Sequence, residues 1–375
     1  MIIKNASVFN ESFHFEDKDV YVNGAYIADT ASKDTCIDGT GCYLIPGLLD
    51  IHFHGCAGYD FCDATDEALY HIAEYELKNG ITSICPASMT LSEAELIRIC
   101  KNAVSYRNTW KPGHTANLCG INLEGPFISM EKKGAQNPYF IKAPDSAMFK
   151  RLLDAGDGLI KLVTIAPETE NAMDFIKHFS SEVRISIGHT NCDYETAKKA
   201  FRFGASHMTH LYNAMPGFSH RAPGPIAAGM DDSKVTPEII CDGIHISPAA
   251  VRAAFALFGE ERMIFISDSM MATGMPDGKY SLGGLDVIVK GNLATLTDGT
   301  LAGSATNLME CMRIAVKQMQ IPLEQAIRCV TANPAKAIGE YEHIGSIETG
   351  KYADLVLLDK ETLKPVKVFI HGIEI

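Results

Sequence analysis

Between residues 47 and 268 the chain repeats one theme eight times: a short apolar run, a turn and, in most intervals, a segment with helical spacing of apolar residues. The runs fall at 48–54, 83–86, 118–124, 162–166, 184–189, 207–210, 238–242 and 263–268. After Thr65, Leu69, Ile72, Ala73 and Leu77 share one helix face, and Gly80 supplies the stop. Eight βα alternations predict an α/β fold, a TIM-like (β/α)8 barrel. A chain of 375 residues holds one such barrel with a small appendage.

The appendage is expected at the termini. Residues 1–46 carry short alternating runs broken by the hairpin dipeptide Asn23-Gly24, and residues 345–375 return to β character. Because both ends are β-rich around a βα middle, they are predicted to pair into a small β-sandwich beside a barrel domain spanning 47–344. An insertion over 280–301 and two helices, from about Leu308 and Leu323, follow the eighth strand.

Composition removes several classes of function. Hydrophobic residues at 46% and charged residues at 21% describe an ordinary globular protein. No apolar run is long enough to cross a bilayer and the amino terminus lacks the plan of a secretion signal, so a cytoplasmic protein with no membrane partner is expected. A net charge of -13 without a basic stripe argues against nucleic acid, while a small anionic substrate would need only a few cations in its site. Eleven cysteines, irregularly spaced and without a Cys-x-x-Cys pair, fit neither a disulfide framework nor a thiolate zinc knuckle. Cys56 either packs beneath a site or lies near a metal.

In a barrel of this type the carboxyl ends of the strands share the face where chemistry is built. Strand one ends in His52-Phe53-His54, strand three in Glu124, strand five in His189, strand six in His210 and strand eight in Asp268. Alternation along a strand points His52 and His54 the same way. Four imidazoles and two carboxylates at one end suit a divalent metal, Zn²⁺ first, with Fe²⁺, Mn²⁺ or Co²⁺ tolerated. His207, three residues before His210, should face away, and His245 lies just past strand seven on the active face. Lys161 stands at the start of strand four, so Glu124 is the expected bridge if two ions bind. Asp268, alone on the last strand, is the expected general base and acid acting on a metal-bound water; the structural alternative is that it orients a ligand or caps a turn.

At these residues the chain resembles the amidohydrolase superfamily and, within it, the deacetylases that act on N-acetylglucosamine 6-phosphate. The matching stretches are PGLLDIHFHG, NLEGPFIS with KKGAQNP, SIGHT, HMTHLYNAMPGFSHRAPG, ICDGIHISP, ISDSMMATGMPDG, LAGSATNL and GSIETGKYADLVLLD, in the expected order. The resemblance implies Glu124, His189 and His210 as metal ligands, His52 and His54 as a second-metal pair and Asp268 as catalytic acid/base. For a phosphorylated amino sugar it implies contacts from Ala135, Gln136, Asn213, Ala214, Arg221, His245, Leu301, Ala302 and Gly303, with the arginine supplied across a homodimer interface. One departure stands out: Gln136 occupies a position where histidine is usual, and an amide cannot become cationic. Cys56, where glycine is common, is a smaller one. The implied reaction is hydrolytic deacetylation. A related acetamido sugar such as N-acetylgalactosamine 6-phosphate, a cyclic amide, and a non-catalytic scaffold are the competing expectations. A Gly-x-Ser-x-Gly elbow, a phosphate-cradling Gly-x-x-x-x-Gly-Lys-Ser/Thr loop and a Gly-x-Gly-x-x-Gly after the first strand, which would signal other chemistries, are absent.

Overall fold

The computed structural model describes residues 1–31 and 35–375; residues 32–34, inside the predicted terminal segment 1–46, lie outside the described residues. Eight parallel strand positions circle the barrel: Leu48–Asp50, Ile81–Ile84 continued by Ala87–Ser88, Asn117–Leu118 continued by Ile121–Glu124, Ile160–Ile165, Arg184–Ile187, His207–Met208, Thr236–Ile240 and Ile264–Ile266. Each pairs with the next in sequence order. Main-chain bonds close the ring between the last and first strands: Asp268 N–H donates to the His52 carbonyl at 2.9 Å and His54 N–H to that of Ser269 at 2.7 Å. The architecture is the predicted TIM-like barrel.

Local sequence explains the first crossover helix, Asp66–Lys78. The Thr65 hydroxyl accepts from the Ala68 N–H as an amino-terminal cap, and Leu69, Ile72, Ala73 and Leu77 are buried on one face. The same face buries Glu76.

Pairing is shorter and more broken than the apolar runs suggest. The run at 118–124 is two strands, because Cys119 and Gly120 interrupt it and its halves pair with different parts of strand two. A Cβ on Gly120 would lie 2.5 Å from Lys161 Cγ and 2.8 Å from Cys85 Sγ, so the chain passes there only without a side chain. The runs at 48–54 and 207–210 also stop pairing early, at Asp50 and Met208.

The termini form two small sheets. One contains Ile2–Lys4, Val20–Asn23, Tyr26–Ala28 and Cys36–Asp38; the other joins Ser7–Phe9, Phe15–Asp17 and Cys42–Pro46 to Leu355–Asp359, Pro365–Ile370 and Ile373–Glu374. Leu355–Asp359 lies antiparallel on Cys42–Pro46, so opposite ends of the chain share a ladder. Ile3, Val8, Val20, Val22, Leu44, Leu355, Leu357 and Phe369 pack in one buried apolar cluster. The insertion is a three-stranded antiparallel sheet, Gly278–Leu282, Leu285–Lys290 and Leu293–Leu296. Helices Leu308–Lys317 and Leu323–Val330 follow, with an additional short helix, Ala332–Ala337. No helix among the described residues is long and apolar enough to cross a membrane.

Candidate metal centre and active site

Glu124 is the last residue of its strand, while His52, His189, His210 and Asp268 each stand two residues beyond theirs. His52 and His54 both face the cluster, although the strand whose alternation was to aim them has already ended at Asp50. His189, His210 and Asp268 turn into the barrel mouth with φ of 45°, 29° and 49°, left-handed conformations that side-chain-bearing residues rarely adopt. Gly125, at φ 92°, lets the Glu124 strand end press on Thr90: a Cβ there would fall 2.0 Å from Thr90 Oγ1.

Glu124 is the hub. Its Oε1 lies 2.9 Å from His210 Nε2, 3.1 Å from His189 Nε2 and 3.3 Å from His52 Nε2, and its Oε2 lies 3.3 Å from His54 Nε2. Asp268 Oδ1 is 3.3 Å from His54 Nε2 and 3.9 Å from His52 Nε2. All six residues are buried. Three of the rings are fixed from behind. His54 Nδ1 is 3.1 Å from the Ala87 carbonyl, His189 Nδ1 is 2.8 Å from that of Lys132, and His52 Nδ1 is 2.8 Å from Glu238 Oε2. A carbonyl or an ionised carboxylate only accepts, so each Nδ1 carries the hydrogen and each Nε2 presents a lone pair to Glu124.

Lone pairs facing carboxylates demand positive charge between them, either a cation or, without one, a second proton on the ring. Burial opposes protonation of His54, yet Asp268 and Glu124 push its pKa up to about 10; burial likewise opposes charge on His52, which Glu238 and Glu124 raise well above the ordinary range. Burial would raise Glu124, but His52 and His189 hold it well below a normal carboxylate. His52 Nε2 has no hydrogen-bond partner. Two ligand sets, Glu124–His189–His210 and His52–His54–Glu124, each offer atoms within 4.8 Å of one another. The nitrogen and oxygen donors fit a divalent ion of the first transition row.

A cavity of about 360 Å³ opens over the cluster. Of the sequence-predicted substrate residues, Ala135, Gln136, Asn213, Ala214, His245, Leu301 and Gly303 line it. Ala302 is wholly buried behind this wall, and the exposed Arg221 lines a separate depression with Tyr194 and Pro216. His245 is poised to be cationic: burial opposes its charge, but Asp242, 2.7 Å from its Nδ1, raises its pKa. Gln136 turns toward the cluster, its Nε2 donating to Glu124 Oε2 at 2.5 Å and its Oε1 accepting from the Thr90 N–H at 2.7 Å. Cys56 is buried, its thiol near the Ile72 carbonyl at 3.7 Å. Lys161 pairs with Glu340 at 3.0 Å.

Sequence reasoning missed Glu238, and with it the reason for His207. Glu238 Oε1 accepts from His207 Nε2 at 3.0 Å. A glutamate inside a buried apolar strand was the signal. It also missed Met89, Glu131, Lys132, Leu282 and Thr300 in the cavity wall.

Comparison with known proteins places these features in company. The family model described as the amidohydrolase family matches residues 43–374. The N-acetylglucosamine-6-phosphate deacetylase of Bacillus subtilis is 38% identical over 324 residues, 85% of this chain and 81% of the relative. The N-acetylgalactosamine-6-phosphate deacetylase of Escherichia coli O157:H7 is 32% identical, covering 88% and 86%. Among solved structures, an N-acetyl-D-glucosamine-6-phosphate deacetylase mutant of Mycobacterium smegmatis, in complex with N-acetyl-D-glucosamine-6-phosphate, superposes with a TM-score of 0.91 at 31% identity, covering 100% of this chain and 98% of that one.

Proposed function

This chain belongs to the amidohydrolase family, and on that premise we propose that it hydrolyses N-acetylglucosamine 6-phosphate to glucosamine 6-phosphate and acetate. One observation carries the reading: four imidazole Nε2 atoms converge on Glu124 beside Asp268, at the floor of a cavity sized for a sugar phosphate. Glu124, His189 and His210 would hold one divalent cation and His52, His54 and Glu124 a second, with zinc the best match and iron, manganese or cobalt admitted. Bound there, such a cation polarises the acetyl carbonyl and lowers the pKa of water toward 7.

The remaining work falls to this chain's own groups. Burial would raise Asp268, but His54 and His52 hold its pKa below the usual carboxylate value, so it is ionised and able to take a proton from the attacking water. The same carboxyl then returns that proton to the departing amine nitrogen. Ser304 N–H, donating to the Asp268 carbonyl at 2.7 Å, ties it to the segment that carries Leu301 and Gly303. Asn213, Ala214 and Gln136 line the sugar's path, and His245 supplies positive charge for the phosphate.

Arg221 makes no ion pair among the described residues and lies outside its own chain's cavity. We assign it to the phosphate of a neighbouring subunit, in a homodimer. Eleven unpaired cysteines suit a reducing compartment, the cytosol.

The test is acetate release from N-acetylglucosamine 6-phosphate, its galactosamine epimer and unphosphorylated N-acetylglucosamine, before and after chelation, with metal analysis. Turnover of the first substrate, lost on chelation and restored by a divalent ion, is expected. Turnover indifferent to exhaustive chelation would overturn the proposal.

A further inference from the structure

Glu238 stands in the middle of the seventh barrel strand, Thr236–Ile240, wholly buried. A carboxylate placed there needs partners, because burying a lone charge is costly. Its Oε2 lies 2.8 Å from His52 Nδ1 and accepts from the His210 backbone N–H at 3.2 Å; its Oε1 accepts from His207 Nε2 at 3.0 Å. Glu238 thus touches one member of each proposed ligand group without reaching the ligand atoms themselves.

The network continues away from the cavity. With Nε2 donating to Glu238, the neutral His207 ring has only Nδ1 left as an acceptor, and the Thr236 hydroxyl lies 2.7 Å from it. Arg184 Nη1 donates to that hydroxyl at 3.2 Å. Hydrogen bonds therefore run in one direction, Arg184 to Thr236 to His207 to Glu238, and meet His52 donating from the other side. The guanidinium at the start of strand five supplies charge at the far end of the chain, and each bond polarises the next.

We propose that Glu238, backed by His207, is the positioning residue that makes His52 a ligand: it locks the Nδ1–H tautomer and aims the bare Nε2 at Glu124, while tying the His210 backbone to the same anchor. The proposal rests on the metal reading above and deepens it. Hydrogen-bond partners behind metal-binding histidines typically change affinity 10- to 100-fold. Because His52 is the one proposed ligand whose ring depends on Glu238 for its tautomer, the second ion should feel its loss most, and the ion at Glu124–His189–His210, reached only through the His210 backbone N–H, should feel it little.

The experiment compares wild type with Glu238→Gln and Glu238→Leu. A glutamine can still accept from His52 and donate to His207, whose tautomer reverses so that its Nδ1–H donates to Thr236; a leucine fills the space and accepts nothing. Chelator-stripped proteins are titrated with Zn²⁺ by calorimetry, with bound metal counted by mass spectrometry. The His52 tautomer is read separately in metal-free, ¹⁵N-histidine-labelled protein by ring-nitrogen correlation spectra. Expected are two ions in wild type, two in Glu238→Gln with the weaker site loosened roughly tenfold, and one in Glu238→Leu, the second loosened roughly a hundredfold. The first ion's affinity should hold within about threefold in every variant, and His52 should keep Nδ1–H in wild type and Glu238→Gln but not in Glu238→Leu.

Unchanged binding of both ions in Glu238→Leu, or equal loss of both, would overturn the proposal, the latter because it marks a general structural role. Should Glu238→Leu fail to fold, the metal-free wild-type spectrum still decides: a His52 ring with no hydrogen on Nδ1 refutes the anchor. Should wild type bind no ion, the metal reading falls, and the tautomer spectra alone judge Glu238.

Discussion

Two groups of buried carboxyls occupy this fold, and burial acts on them alike. Under the cavity, burial pushes Glu124, Glu238 and Asp268 toward neutrality, yet their imidazole neighbours hold all three below the ordinary range, Glu238 at about 2. Away from it, burial wins: Asp50 rises to about 7, Glu76 to about 8 and Asp354, on the terminal sheets' side of the molecule, to about 7. Neither oxygen of Glu76 has a hydrogen-bond partner, and its polar neighbour is the Cys56 thiol. A buried acid is thus no sign of chemistry by itself. What separates the two groups is an array of histidines, three of them with rings fixed from behind, keeping the acids ionised where a cation and a substrate would meet them.

The largest effect should come from the ionised group. Asp268→Asn removes the proton acceptor and keeps the shape, so kcat should fall roughly a thousandfold while bound metal stays unchanged. Steady-state kinetics with metal analysis checks this, and a variant of near-normal rate would show that ionisation at this position is idle.

Glu76 tests the neutral group. Its folded pKa of about 8 lies above the ordinary 4.5, so the folded protein holds this proton while the unfolded chain has released it. Its penalty is absent below about pH 4.5, grows as pH rises and levels off above about pH 8, reaching on the order of 5 kcal/mol. Denaturant unfolding at pH 5 and pH 8 should show wild type losing more stability across that window than Glu76→Gln, by a large part of that amount. Equal losses would mean that Glu76 is already ionised and that the two groups do not differ as described.

The same contrast explains what could be read in advance. The barrel was legible because its strands and helices are local patterns repeated eight times, and the convergence of histidines and carboxylates was legible because strand ends share one face. Strand boundaries were not, since Cys119-Gly120 breaks a run through a close approach to Lys161 and Cys85 that no periodicity announces. Glu238 escaped because its partners, His52 and His207, are 186 and 31 residues away. Lys132 contributes a backbone carbonyl to His189, which leaves no trace in residue type. Arg221 was singled out by resemblance, and its own chain does not bring it to the cavity.

Arg221 sharpens the comparison from the side of the cations. If a neighbouring subunit's arginine completes the phosphate site, Arg221→Ala should raise KM for the phosphorylated substrate about 30-fold, near 2 kcal/mol for a charge-assisted contact, with kcat nearly kept. Turnover of the unphosphorylated sugar should be unaffected. Kinetics on both substrates, with sedimentation to confirm that the variant keeps the wild-type assembly, provides the check. Equal loss on both substrates would return Arg221 to a structural role.

The smallest effect asks whether imidazoles alone account for the ionised group. Gln136 is the neutral member of the Glu124 shell, donating to Oε2 at 2.5 Å while the Thr90 N–H holds its other end. An amide lends a hydrogen bond but no charge, whereas His52 and His189 supply the main pull that keeps Glu124 ionised. Gln136→Leu should therefore leave metal content intact and lower kcat/KM about tenfold, near 1.4 kcal/mol, through looser aim of the carboxylate and of whatever the amide offers the sugar. Loss of metal in that variant would place the amide beside the imidazoles as a condition of the site. Full activity would mean that the histidines fix Glu124 unaided, so that an uncharged side chain can stand where the resemblance implies a histidine.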